Sequence, residues 1–266
     1  MSFSISGKTA IVTGAANGIG LAIARHLADN GANVMCADAD EKALIEELGG
    51  QPDDGHIRIF AGDLRQRLTI ANLVSATIDA FDQVDILVNA SREMLHTDAL
   101  DVEDTSVRTL LDQNLMTALQ LTQAVARRMI KQADGEEKGQ VGSIINLSST
   151  AAKQTRPELM AYAIAASAVQ QMTRSMALAL AQHRIRVNAI SFGSVMSASL
   201  RAALAENREW RDDIRSNTPL GRIAAPNELC QAVQFLAAES SGFMTGEVMV
   251  IDGGRSLLDA VTAPAH

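Results

Sequence analysis

Gly14, Gly18 and Gly20 lie in the stretch Thr13-Gly14-Ala15-Ala16-Asn17-Gly18-Ile19-Gly20, and Asp38 follows 18 residues after the last of them. Glycines let a backbone turn tightly and bring its N–H groups up to an anion. A carboxylate placed beyond them can accept hydrogen bonds from a ribose. Together these residues could hold a dinucleotide, with the pyrophosphate on the turn and the adenosine ribose at Asp38. That chemistry requires the turn to join a strand to a helix N-terminus, and the acid to end the next strand. The flanking residues comply. Lys8-Thr9-Ala10-Ile11-Val12 reads as a short buried strand, and Leu21–Ala28 carries apolar residues at helical spacing. Asn33-Val34-Met35-Cys36-Ala37 is a second apolar strand that ends at Asp38. Gly14 then allows the tight turn, Gly18 the approach of phosphate and Gly20 the packing of helix on strand. A plain glycine loop would not explain the acid at Asp38.

Composition narrows the alternatives. The 266 residues can bury a large core as one unit, and hydrophobic residues at 47% with charged residues at 20% fit an ordinary globule. A net charge of −8 without a basic tract argues against nucleic acid and anionic membranes as partners. No apolar run approaches the roughly 20 residues a bilayer span needs. Met1-Ser2-Phe3-Ser4-Ile5 has neither the charged leader nor the apolar core of a signal peptide, so a cytoplasmic location is expected. Cys36 and Cys230 read as small core residues, and the five histidines show no ligand spacing, so no metal site is expected.

The spacing Gly-x-x-x-Gly-x-Gly is one residue looser than the general dinucleotide fingerprint. With its leading Thr13 it resembles the short-chain dehydrogenase/reductase family, and the resemblance extends over nearly the whole chain. It implies an α/β fold: a Rossmann-type doubly wound parallel sheet of seven strands with helices on both faces, spanning residues 1–266. Strands are expected at His56–Ala61, Val84–Val88, Val141–Leu147, Arg186–Ile190 and Glu247–Ile251. Helices are expected at Glu41–Leu48, Arg65–Phe81, Asp101–Lys131, Glu158–Gln182 and Asn227–Ala238, with loops at Gly49–Gly55 and Gln132–Gln140. Ala198–Thr218 reads as two short helices, part of an insertion over residues 190–220 that covers substrate in the family. The resemblance also implies a homo-oligomer, a tetramer, acting on a small molecule.

Site residues follow from the same resemblance. Asp63 could accept from the adenine amino group or cap the next helix, and the family pattern Asp63-Leu64 favours the adenine. Asn89, Val195 and Ser197 join Gly14, Asn17, Gly18, Ile19, Gly20, Asp38, Asp63 and Leu64 as the implied cofactor contacts. Ser149 and Tyr162, 13 residues apart, match the family's serine and tyrosine pair, and Tyr162 is the only tyrosine. Asn114 lies inside a helical stretch, an unfavourable place for asparagine. In the family an asparagine there holds a water linked to an active-site lysine; a satisfied core amide is the other reading.

That lysine is missing. It should stand four residues after the tyrosine, on the same helix face, and the sequence reads Tyr162-Ala163-Ile164-Ala165-Ala166. A free tyrosine ionises near pH ~10, so without a cation little phenolate exists at neutral pH, and alcohol oxidation suffers more than carbonyl reduction. Two further departures map to the same end of the cofactor. Arg92 replaces a glycine in Asn89-Ala90-Ser91-Arg92, and Phe192 replaces a proline before Gly193. Arg92 either reaches into the site or turns outward, the commoner fate of a loop arginine. As a substitute cation Arg92 is the better candidate, ahead of Lys153 and Arg156. Two functions are therefore weighed. One is an NAD-dependent oxidoreductase moving hydride between nicotinamide and an apolar ketone or secondary alcohol. The other is a non-catalytic dinucleotide-binding sensor or partner subunit.

Overall fold

Burial on both faces of the β-branched runs decides the architecture. In the computed structural model, which describes residues 2–49, 55–135, 139–154 and 156–259 with the side chains at 198 and 199 excepted, all five residues of β1 (Thr9–Thr13) are buried. The remaining elements follow in chain order: α1 (Gly18–Asp29), β2 (Asn33–Asp38), α2 (Glu41–Leu48), β3 (Ile57–Ala61), α3 (Arg67–Phe81), β4 (Ile86–Asn89), α4 (Ser106–Leu110), α5 (Thr117–Gln132), β5 (Gly142–Ser149), α6 (Met160–Ala181), β6 (Ile185–Phe192), α7 (Ala198–Glu206), α8 (Glu209–Ser216), α9 (Pro226–Ala237) and β7 (Val248–Ile251). The expected loops fall partly on residues 50–54 and 136–138, outside the described residues.

The seven strands pair in parallel in the order β3-β2-β1-β4-β5-β6-β7. Successive side chains point to opposite faces of a strand. Ala10 and Val12 therefore meet α1 and α9 through Ile23, Leu27, Val233 and Leu236. Ile11 meets the other layer, built from Leu73 of α3, Leu121 and Val125 of α5, and Leu180 of α6. Both faces are covered, as a parallel sheet requires. Strand order reverses between β1 and β4, which opens a crevice at the strands' C-terminal ends.

Two expectations shift. The helical stretch from Asp101 begins at Ser106, because Asp98, Asp101 and Asp104 each accept a backbone N–H two residues on and hold the chain in turns. Its middle, Leu111–Met116, then widens into a π-helical turn that contains Asn114. The helix expected from Arg65 starts at Arg67 with Gln66 as its N-cap, so Asp63 caps no helix.

Near the site, the segment after β6 is tied down by a bridge between Val195 and Ala224, with Met196 N–H donating to the Ala224 carbonyl. The adjoining start of α9 is clipped by Glu228, which accepts from Ala225 N–H at 2.9 Å and pairs through both oxygens with Arg222 at 2.7 Å. These bonds hold the Glu228 carboxyl down at about 2, the Arg222 guanidinium first and the Ala225 N–H second. A carboxyl lowered on folding adds stability above its ordinary 4.5 and loses it as pH falls toward 2. Both side chains are half exposed, so salt screens much of the effect. Thermal melts of Glu228→Gln should show a lower Tm than the parent at neutral pH, with the gap closing between pH 4.5 and 2.

Candidate active site

The β1–α1 turn is built by exclusion. Gly14 has φ +67°, and a Cβ there would lie 2.8 Å from Ser91 Cα. A Cβ on Gly20 would collide with the Gly14 carbonyl, so helix and turn touch backbone to backbone. Gly18, at φ +55°, faces open space. Asn17 precedes the helix with no side-chain cap bond, Ile19 packs inward, and the first turn carries no acid. An uncapped, acid-free helix N-terminus beside an open glycine suits a pyrophosphate. Asp38, at the end of β2, is held by Ala16 N–H at 3.0 Å and Asp40 N–H at 3.1 Å. These residues fit a dinucleotide.

The other implied cofactor contacts are placed less simply. Asp63 is gripped by Arg65, whose Nε and Nη2 donate to it at 2.9 and 2.7 Å, and this bond lowers its pKa most. Leu64 is buried in the core, which leaves only its backbone for a ligand. Asn89 sends its amide inward, donating to Thr122 Oγ1 at 3.1 Å and to Asn146 Oδ1 at 2.8 Å. Val195 is buried at the Ala224 bridge, and Ser197 caps α7 by accepting from Leu200 N–H.

Ser149 ends β5 and Tyr162 lies in the first turn of α6, and both face one cavity of ≈ 380 Å³. Ser149 Oγ accepts from Ala151 N–H at 3.2 Å, which leaves its own proton to donate. Tyr162 is 8% exposed. Its hydroxyl accepts a hydrogen bond from Arg92 Nη1 at 3.0 Å, so the phenol proton also remains to donate. Arg92 thus turns inward, against the usual fate of a loop arginine, and its guanidinium lies over the Phe192 ring at 4.4 Å from the centroid. Arg156 lines the cavity mouth, whereas Lys153 lines neither cavity beside Tyr162. Ala166 borders a second cavity of ≈ 20 Å³, room for one water, walled also by Asn89, Asn114, Asn146 and Tyr162. Asn114 itself is anchored to the chain after β4, accepting from Glu93 N–H at 2.8 Å and donating to the Glu93 carbonyl at 2.9 Å. Its π-helical turn is the kind of local widening that recurs at functional sites.

The larger cavity departs from the apolar substrate expected from sequence. Arg92, Arg156 and Arg255 line it beside Gln154, and none of the described side chains of α7 or α8 does. Arg255 escaped the sequence reading; its only signal was Asp252-Gly253-Gly254, whose two glycines take positive φ and turn the chain back toward the cavity. Cys36 and Cys230 are buried thiols, pushed up by burial to about 12 and 11.

A parallel sheet with a glycine turn at its switch point and a serine–tyrosine pair at the neighbouring strand ends defines a dinucleotide-fold oxidoreductase. Residues 14–256 match the family model described as enoyl-(acyl carrier protein) reductase. Over 261 residues the chain is 34% identical to L-fucose dehydrogenase of Mus musculus, covering 95% of this chain and 89% of the relative. It is 31% identical to a 3-oxoacyl-(acyl-carrier-protein) reductase of Thermotoga maritima, covering 94% and 98%. A solved short-chain dehydrogenase/reductase of unknown function from Caenorhabditis elegans, with cofactor, superposes at a TM-score of 0.83 with 28% identity, covering 96% and 97%. The chain belongs to the short-chain dehydrogenase/reductase family.

Beneath the site runs a buried polar layer. Asn146 in β5 accepts from Asn89 and donates to Thr173 Oγ1 at 2.9 Å, joining β4 and α6 through the strand that ends in Ser149. Asn146→Ala should lower stability by about 1–3 kcal/mol, because it leaves buried partners short of a bond. Urea unfolding followed by Trp210 fluorescence measures this.

Proposed function

We propose that this chain is an NAD(H)-dependent oxidoreductase acting on a ketone or secondary alcohol, with Arg92 supplying the positive charge that Ala166 cannot. The observation that carries this reading is the 3.0 Å hydrogen bond from Arg92 Nη1 to Tyr162 Oη in the cavity that Ser149 also lines. A bound nicotinamide would supply the hydride to the carbonyl carbon or take it from the alcohol.

The chain's own residues do the rest. Ser149 and Tyr162 each have an acceptor site filled and a proton left to donate, so both can hold the carbonyl oxygen. Tyr162 gives its proton to that oxygen in reduction and removes it in oxidation. Arg92 then gives the phenolate a charge-assisted hydrogen bond, the stronger kind. Asn114, bonded to Glu93, fixes the segment that carries Arg92. Asp38 would meet the adenosine ribose, Asp63-Leu64 the adenine, and Val195 and Ser197 the nicotinamide end. A homotetramer and a cytoplasmic location belong to the same reading. Exposed apolar Leu178 and Ile164 on α6 support the oligomer.

Two experiments bear on this. Arg92→Gly should abolish turnover, and Ala166→Lys alone should help little, since two cations would crowd one pocket. The double variant should regain activity, most in alcohol oxidation. If the parent and all three variants turn over no carbonyl or alcohol in a broad screen, the oxidoreductase reading fails. Dinucleotide binding kept in all of them would leave the sensor or partner-subunit reading in its place. Second, Asp38 followed by Ala39 should repel a 2′-phosphate, so calorimetry should give a lower Kd for NADH than for NADPH, and Asp38→Ala should narrow the difference.

A further inference from the structure

Three arginines from three parts of the chain converge on the ≈ 380 Å³ cavity: Arg92 after β4, Arg156 before α6 and Arg255 after β7. No aspartate or glutamate is among the described residues that line it. Arg92 is engaged by Tyr162 and Phe192. Arg156 and Arg255 make no ion pair among the described residues.

Arg255 is nonetheless held in place. Its Nη1 donates to Ser194 Oγ at 3.0 Å, and its carbonyl accepts from Gln154 Nε2 at 3.2 Å. The turn that carries it is pinned by Asp252, whose oxygens accept from Gly254 N–H at 2.9 Å and Ser256 N–H at 2.7 Å. Asp252 is the nearest acid along the chain; burial raises its carboxyl, while the bonds from Ser256 and Gly254 and the nearby Arg255 charge bring it down, and it does not itself line the cavity. An adjoining cleft of ≈ 460 Å³ shares Gln154, Arg156 and Arg255 and adds Asp213 and Asp259. Asp213 accepts from Asn217 Nδ2 at 3.0 Å. The two arginines therefore stand on a wall between two clefts, and the side without carboxylates is the one that opens on Ser149 and Tyr162.

A chain of net charge −8 that gathers unpaired guanidinium groups in a concave site focuses a positive potential there. Guanidinium forks match carboxylate and phosphate oxygens in geometry. Met94, Leu159 and Phe192 supply apolar wall between the arginines and the hydroxyl pair.

We propose that the substrate carries an anionic group, a carboxylate or a phosphate ester, which Arg156 and Arg255 bind while the carbonyl or carbinol carbon rests against Ser149 and Tyr162. This narrows the oxidoreductase reading above and rests on it.

The test compares matched pairs on the full chain with NAD+ present, so that the ketones bind without being reduced. Isothermal calorimetry is run with 4-oxopentanoate against its methyl ester, and with dihydroxyacetone phosphate against dihydroxyacetone. At least one anion should bind about tenfold or more tightly than its neutral partner, the value of one charge-assisted hydrogen bond. The pair that shows the preference identifies carboxylate or phosphate. Arg156→Gln and Arg255→Gln should each shrink the ratio, chiefly through KM where turnover is seen, and added salt should shrink it in the parent. Equal binding within both pairs, no binding of any of the four, or a ratio unchanged in both variants overturns the proposal. An anion preference without turnover of any of the four supports the anion site by itself, and the oxidoreductase reading is then decided by the broad screen above. Turnover without an anion preference overturns this proposal and leaves the oxidoreductase reading standing.

Discussion

The Thr13 hydroxyl accepts two backbone N–H groups, from Ala90 and Ser91, each at 3.0 Å. It thereby ties the end of β1 to the end of β4 at the point where the strand order reverses. Everything at the crevice is referred to this tie. On one side the chain enters the glycine turn, and Gly14 lacks a Cβ because Ser91 Cα leaves no room for one. On the other side the next residue is Arg92, whose aim at Tyr162 depends on where Ser91 is held. Thr13 itself is 2% exposed, so its oxygen could not exchange these donors for water without opening the crevice. One buried hydroxyl thus fixes the relative position of the dinucleotide turn and the reactive end.

The three departures from the family pattern become one arrangement in space. Arg92 donates to Tyr162, and its guanidinium lies over the ring of Phe192. Ala166 borders the small cavity on the same side of Tyr162. A lysine at position 166 would approach the phenol from its own helix, whereas Arg92 approaches from a strand end across the crevice. The aromatic ring at position 192 gives the cation a face worth about 0.5–2 kcal/mol that a proline could not offer. The three positions therefore meet around one phenol: Arg92 bonds Tyr162 and rests on Phe192, and Ala166 borders the small cavity beside it.

This explains which parts the sequence made legible. The strands and the glycine turn were readable because each rests on local constraints, β-branched runs and glycines set between a strand and a helix, whereas the parallel sense came with the family resemblance. Asp38 was readable because it ends a strand. The direction of Arg92 was not, since it depends on Thr13, Phe192 and Tyr162, which lie far apart in the chain. The start of the Asp101 stretch was misjudged because aspartate side chains compete for backbone donors, and apolar periodicity is blind to that. The π-helical turn at Asn114 has no periodic signature at all. That the Asn89 amide bonds Asn146 and Thr122 was likewise hidden, because those partners come from β5 and α5, far along the chain. Arg255 was hidden because nothing in Asp252-Gly253-Gly254 says which way the turn that follows will face.

The charge in the cavity is costly to the fold, and that cost is informative. Guanidinium groups brought together without carboxylates repel one another, and partial burial strips some of their hydration. Asp252 lies close enough to Arg255 for their charges to interact, but it does not line the cavity. Arg92 has a ring and a phenol oxygen, and Arg255 has one hydroxyl. Elsewhere the same chain pairs exposed arginines with acids, as in Arg25–Glu47, Arg65–Asp63 and Arg222–Glu228. Its 31 acidic residues against 23 lysines and arginines leave no shortage of partners. The arginines that line the cavity, with no acid among the described lining residues, are thus the part of it that suits the anionic group proposed above.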